Sequence, residues 1–246
     1  MDTKTEKEIF SQYFKNRESF TTDEVYDFFS KSQPWIKRAT VIWRIYTLIL
    51  NGVLKRVGRG VYALGREQSF AMHPIQKRIK TSTLIKKHFP LINLCCWHSA
   101  AIMEFYQHVA IHDFLLVEVE KDAVDPVYYF LKETNKNTFK EPAKEIIEDF
   151  VFNCNDAIIV KALISEAPII PFDNIYVPTL EKILVDLYAD TETFFFLQGQ
   201  ELLNIYNNAF EKYTVNRHKL LRYAKRRNIQ NGIQELINQI NGNKHK

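Results

Sequence analysis

The chain has 246 residues, enough for one large domain or two small ones with a substantial core. Hydrophobic residues make up 46% and aromatic residues 13%, with 18 Phe and 12 Tyr, values that exclude a disordered chain. The net charge of +4 conceals a strong division: residues 28–103 carry 13 Lys/Arg against the single acid Glu67, residues 104–215 carry 20 Asp/Glu against 8 Lys and no Arg, and residues 216–246 carry 8 Lys/Arg against Glu235. Blocks of one sign steer partners of the opposite sign, so more than one kind of partner is expected.

The opening MDTKTEKEIF is polar, which predicts no signal peptide, and no run approaches the roughly 18–20 apolar residues of a membrane span. Cys95 and Cys96 are adjacent and Cys154 is distant, a spacing that gives neither a disulfide framework nor a C-x-x-C metal pair. A cytoplasmic protein with reduced thiols and no membrane partner is expected.

In chain order, the first predicted helix runs from Thr3 to about Asn16, with Ile9, Phe10, Tyr13 and Phe14 on one face. Thr21 followed by Glu24 is a capping box, and Phe20 before it can staple onto Val25, so a second helix runs to about Lys31. Pro34 forces a turn, because the residue before a proline avoids the helical region. A third helix starts near Lys37 or Arg38. It puts Val41, Ile45, Leu48 and Ile49 inward and Thr40, Trp43, Arg44 and Thr47 on another face, and Asn51-Gly52 ends it. Residues 53–57 and 61–64 alternate as strands around Gly58-Arg59-Gly60, which aims Arg59 outward at a hairpin tip.

Helix, helix, then hairpin is the order of a winged helix-turn-helix, which predicts that residues 1–68 bind DNA. A helix fits the major groove, and Lys37, Arg38, Thr40, Trp43 and Arg44 are its candidate contacts; Lys55, Arg56 and Arg59 of the wing suit phosphates or an adjacent minor groove. The absence of any acid between residues 28 and 66 favours this over a purely protein-binding role. Arg217, Arg222 and Arg226, with neighbouring Arg227, form a possible secondary basic surface.

Residues 69–246 read as a second domain. Residues 66–74 look like a linker or the first edge of this domain. Strands are expected at 91–96, 114–119, 139–141, 157–164 and 175–177, with helices through 100–106 and 124–132, giving an α/β or α+β sheet part over 69–177. A helical part follows over 178–246, with an amphipathic stripe of Leu180, Ile183, Leu184 and Leu187, then helices at 201–213, 217–228 and 233–240.

The sequence carries none of the common glycine-loop or nucleophile-elbow signatures of catalysis. Neither G-x-x-x-x-G-K-[ST], G-x-G-x-x-G nor G-x-S-x-G occurs. His108 and His112 are four apart, yet lie just before a strand with no third ligand, so no metal is expected. Trp97-His98-Ser99 reads more simply as a strand end capping the next helix than as a dyad. Asp113, Glu118 and Glu120 evoke nucleotidyltransferase carboxylates, but no Gly-Ser pair precedes them, and the alternation of 118 and 120 also fits an exposed strand face. The expectation is a protein that is not an enzyme and has no cofactor.

Leu54, Arg56, Val57, Gly58, Arg59, Gly60, Val61 and Tyr62 spell L-x-R-V-G-R-G-V-Y, which resembles the amino-terminal domain of AbiEi-type antitoxins from bacterial abortive-infection (type IV toxin–antitoxin) systems. Pro178-Thr-Leu-Glu181-Lys-Ile-Leu184-Val-Asp186 is similar to that family's P-x-E-x-x-L-x-D helix, and Leu220-Leu-Arg222-Tyr223-Ala224-Lys225-Arg226 to its later Tyr-Ala-basic helix. Residues 72–171 match in layout more than in letters. The resemblance implies an α+β protein: a winged helix that represses its own operon, then a non-catalytic nucleotidyltransferase-like domain that antagonises a nucleotidyltransferase toxin. Operator DNA and that toxin are the implied partners. The acidic stretch 104–215 could compete for a basic groove on the toxin, or could simply keep the domain soluble. The alternatives are a winged-helix regulator with a ligand-sensing α/β domain and an active nucleotidyltransferase tethered by a winged helix.

Overall fold

The computed structural model describes residues 3–66, 68–72, 76–106, 112–173 and 175–243, with side chains described from residue 7 in the first helix, from 80 in the fourth and to 240 in the last. The protein is α+β with a mixed sheet, and it divides into two compact units: Met1–Phe70 with Phe210–Lys219, and Ala71–Ala209 with Leu220–Lys246.

In the first unit the order is α1 (Thr3–Phe14), β1 (Phe20–Thr21), α2 (Thr22–Ser32), α3 (Arg38–Leu50), β2 (Leu54–Gly58) and β3 (Val61–Leu64). The expected capping box is present: Glu24 N donates to Thr21 Oγ1, and Thr21 N donates to Glu24 Oε2 at 2.7 Å. These bonds satisfy amide donors that the first helical turn leaves open. Phe20 and Val25 are both buried, as a staple requires. The helices close on an aromatic core in which Phe14 stacks on Phe20 at 4.0 Å between centroids and Phe10 meets Phe14 at 4.8 Å. Ile9 and Tyr13, predicted to share that face, are about half exposed and line a pocket of about 460 Å³ with Phe28, Phe29, Lys31, Ser32, Gln33 and Arg44.

The strands form an antiparallel sheet in the order β1-β3-β2. Gly52, at φ +70°, lets Val53 N reach Leu48 O and Gly52 N reach Ile49 O, the paired bonds that end α3 and turn the chain into β2. Phe210–Lys219 belongs to this unit through Thr214 N donating to Gln68 O at 2.8 Å and Phe70 meeting Tyr213 edge to face.

The second unit carries α4 (Gln76–His88), β4 (Leu94–His98), β5 (Leu115–Val119), α5 (Val124–Thr134), β6 (Thr138–Lys140), a single turn α6 (Lys144–Ile146), β7 (Ile158–Ala162), β8 (Ile169–Phe172), β9 (Ile175–Pro178) and α7 (Leu180–Ala189). Then follow α8 (Gln200–Lys212), α9 (Arg217–Arg226) and α10 (Gln230–Asn243), the partition cutting through α8 and α9. The sheet order is β6-β7-β5-β4-β9-β8. Strands β6, β7 and β5 run parallel, β5 and β4 antiparallel, β4 and β9 parallel, and β9 and β8 antiparallel.

All of β5 is buried, so both faces of the sheet are covered there. Leu115, Val117 and Val119 cluster with Ile85 of α4 and with Val124, Val127 and Leu131 of α5. Glu118, on the opposite face by alternation, meets α7. This corrects the reading of Glu118 as part of an exposed strand face: it is only 3% exposed. The predicted helix at 100–106 is instead a 3₁₀ helix over Ser99–Phe105. Helix α4 and strand β8 were not anticipated.

Candidate nucleic-acid interface

Helix α3 and the β2–β3 hairpin are tied to the start of α2. Thr22 N donates to Gly60 O at 2.9 Å, and Thr22 Oγ1 donates to the same carbonyl at 3.2 Å. Gly60 sits at φ +70°, where a Cβ would lie 3.3 Å from Thr22 Oγ1. The turn residue and the α2 entry therefore hold each other, and the pairing shifts register between Arg56 and Gly58. Arg59 is exposed between the two glycines; Arg56 is exposed on β2 with its guanidinium over the Tyr62 ring, and Lys55 is half-buried.

Lys37 is the exposed N-cap residue of α3, and Thr40 and Trp43 are exposed along it. Two predicted contacts lean back onto their own unit. Arg38 donates to Asp23 Oδ1 at 2.8 Å and lies over Tyr26. Arg44 donates to Gln33 Oε1 at 3.0 Å with its guanidinium 4.8 Å from the Phe29 centroid, so it lines the aromatic pocket. The outward side of α3 is more apolar than its spacing suggested, with Ile42, Trp43, Tyr46 and Leu50 all exposed.

Arg217, Arg222 and Arg226 of the secondary basic surface lie along α9, where Arg217 stands 3.6 Å from Glu18 and over Phe210 and Arg226 Nε donates to Ser165 Oγ. Arg227 is not a surface group. It donates to Asp186 Oδ1 at 2.6 Å and to Asp190 Oδ1 at 2.5 Å.

That arginine closes a network which sequence reasoning missed. Lys182 Nζ, fully buried on α7, donates to both oxygens of Glu118 at 2.8 and 2.6 Å and to Asp186 Oδ2 at 2.6 Å. Tyr223 Oη donates to Asp186 Oδ1 at 2.9 Å, and Lys161 Nζ to Asp190 Oδ2 at 2.5 Å. Three cations (Lys161, Lys182, Arg227) thus meet three carboxylates (Glu118, Asp186, Asp190), which is what burial demands of charge. Burial pushes the Asp190 carboxyl up, but Lys161 and Arg227 outweigh it and bring it down to about 2. Burial disfavours the charged form of Lys182, yet Asp186 and Glu118 hold its ammonium well above the usual range. Burial first, then Glu118, raises the Cys95 thiol, so that sulfur is not a reactive thiolate.

The two carboxy-terminal segments quoted for the family resemblance meet in this network, at the bond between Tyr223 and Asp186. The signal that could have revealed it is three charges, Glu181, Lys182 and Asp186, in the otherwise apolar run of α7, the last two four apart. Every residue from Leu180 to Leu187 is buried, so the predicted amphipathic stripe has no solvent-facing side.

A cavity of about 510 Å³ lies where β6 and β7 end, lined by Glu141, Lys161, Asp190, Glu192, Thr193 and Arg227 among others. Of the other clusters considered in the sequence, His98 Nδ1 lies 2.8 Å from Asp113 Oδ1, and Ser99 Oγ donates to His112 O while accepting from Phe114 N. Ser99 thereby ties the end of β4 to the start of β5. His108 lies outside the described residues, and among those described no group of three or more His, Cys, Asp or Glu side chains is arranged to hold a metal ion. No described helix is long and apolar enough to cross a membrane.

Fold and site together define an α+β protein of two units, one with an exposed helix followed by a basic hairpin and one with a mixed sheet built over a buried ionic network. The chain belongs to a family of unknown function, DUF6577, whose model matches residues 40–243, from within α3 to the end of α10. No curated protein matches it.

Proposed function

We propose that this protein is a DNA-binding antitoxin: its first unit is a winged helix-turn-helix that represses its own operon, and its second unit is a non-catalytic, nucleotidyltransferase-like domain that antagonises a nucleotidyltransferase toxin. The observation that carries the DNA-binding half is α3 leading through Gly52 into a hairpin whose Arg56 and Arg59 are exposed, within a stretch, residues 28–66, that holds no Asp or Glu. Three helices with α3 leading directly into the hairpin, and a three-stranded sheet in the order β1-β3-β2, are the elements of a winged helix and support that assignment. The antitoxin half rests on the resemblance. The meeting of two of its segments at Asp186 supports it by giving them one shared structural reason.

Two phosphate contacts from Arg56 and Arg59 would contribute about 1.8 to the slope of log affinity against log salt. Titrating the parent and Arg56→Ala/Arg59→Ala proteins with duplex DNA from upstream of the reading frame, across salt concentrations, tests this. Binding unaffected by the double substitution rules out the hairpin as the contact surface, and no binding at low salt defeats the DNA assignment. Co-expression with a neighbouring nucleotidyltransferase-like reading frame tests the other half: growth rescue supports it, and growth arrest despite accumulated protein counts against it.

A second reading, a regulator whose larger unit senses a small ligand, is favoured by the 510 Å³ cavity, which lies at the carboxyl ends of parallel strands where open α/β sheets bind ligands.

A further inference from the structure

Helix α3 is apolar on two sides. Val41, Ile45 and Leu48 fill the core of the first unit, while Ile42, Trp43, Tyr46 and Leu50 stand 59, 64, 57 and 69% exposed. Their spacing of three and four residues makes one stripe along the helix. It exposes on the order of 500 Å² of largely apolar side chain in one stripe, the size of the largest apolar patch on an ordinary monomer, which is often functional.

Three of the polar side chains of the same helix are bonded within its own unit, whereas Thr40 and the N-cap residue Lys37 are exposed. Arg38 donates to Asp23, Arg44 to Gln33, Thr47 Oγ1 to Trp43 O, and the neighbouring Asn51 Nδ2 to Thr47 O. Arginine, lysine, asparagine and glutamine are the side chains that pair bidentately with guanine and adenine edges. The apolar group among the major-groove edges is the C5-methyl of thymine.

Resting on the reading of α3 as the helix that enters the groove, we infer that its outward stripe recognises thymine methyl groups, so that the target is a duplex with a short run of thymines on the strand facing α3. Residues 42–50 span about 12 Å of helix, the length of three to four base-pair steps. Charge selects DNA over a second copy of the chain as the occupant. Lys37, Arg44, Lys55, Arg56 and Arg59 surround the stripe in sequence with no acid among them, while Arg38 is matched by the Asp23 carboxylate. Pairing α3 with α3 therefore brings like charges together, whereas phosphates complement them.

The test uses the full chain and a random-sequence duplex pool synthesised in parallel with thymine and with uracil, which differ only by the methyl group. The thymine pool is expected to enrich runs of three or four T·A pairs. Each thymine-to-uracil replacement within an enriched duplex should weaken binding about fourfold, the factor for ~0.8 kcal/mol per methyl, and three should weaken it on the order of fiftyfold. Ile42→Ser/Leu50→Ser changes only exposed positions, so the protein should keep salt-sensitive binding while treating thymine and uracil duplexes alike. Equal enrichment and equal affinity from both pools overturn the thymine inference and leave DNA binding standing. No binding to either pool at low salt overturns the DNA-binding reading itself. A solution dimer dissociated by Ile42→Ser/Leu50→Ser, with no thymine preference, assigns the stripe to a second copy and overturns the inference.

Discussion

Replacing Lys182 by methionine removes one charge from the middle of the second unit while keeping most of the side-chain volume. Lys182 is 1% exposed and is held by both oxygens of Glu118 and by Asp186. Asp186 keeps Tyr223 and Arg227 after the change, but Glu118, 3% exposed on a strand covered on both faces, loses the ammonium that matches its charge. Breaking a buried pair from one side costs about 3–5 kcal/mol, most of it the penalty of the charge left behind. For a domain of this size that is a fall of about 10 °C in melting temperature. The three tryptophans suit the assay: Trp35 and Trp43 are exposed in the first unit, and Trp97 is fully buried on β4, two residues from Cys95, which pairs across the strand with Glu118. A Trp35→Phe/Trp43→Phe background leaves Trp97 as the sole tryptophan, so its selectively excited emission makes urea unfolding report on the second unit. The Lys182→Met/Glu118→Leu combination should recover much of the loss, since it removes both charges. A Lys182→Met urea midpoint equivalent to the parent within about 0.5 kcal/mol would refute the premise that the network is dry and interdependent.

Two further outcomes follow from the same structure. The Asp190 carboxyl is held at about 2 in the folded chain against an ordinary value of 3.8, so its contribution is complete above about pH 4 and is lost as pH falls towards 2. Asp190→Asn should flatten the acid limb of a stability–pH profile by on the order of 2 kcal/mol, and an unchanged limb would exclude Asp190 as its source. Thr21→Ala removes the side-chain half of the capping box and should destabilise the first unit by about 1 kcal/mol, read from circular dichroism melting; Thr21→Ser should restore most of it, and failure to do so would mean that the hydroxyl is not what matters.

The sequence carried the helices and the hairpin of the first unit because their signals are local, but not β1, whose pairing with β3 is long-range. A capping box needs only Thr21 and Glu24, a helix end needs Gly52, and a hairpin needs Gly58 and Gly60 around Arg59, all within a few bonds of one another. Strands β4, β5, β7 and β9 were legible as apolar runs for a similar reason. Helix α4, with its many lysines and weak periodicity, and β8, interrupted by Pro171, carry little such signal. The candidate interface was legible as to which residues lie on α3 and the hairpin. It was not legible as to which of their side chains reach outward, because Asp23 and Gln33, which hold Arg38 and Arg44, come from another helix and from the turn before α3.

What the sequence determined by itself is therefore the order of elements, the basic hairpin and the segregation of charge. Tertiary structure alone decided that Glu118, Lys161, Lys182, Asp186, Asp190, Tyr223 and Arg227 converge, across as many as 109 positions from Glu118 to Arg227. Periodicity says which face of an element is apolar, but only packing says whether its polar face meets water or another element. In α7 the polar face is buried, and each charge there is held by a partner that the linear chain gives no means of choosing.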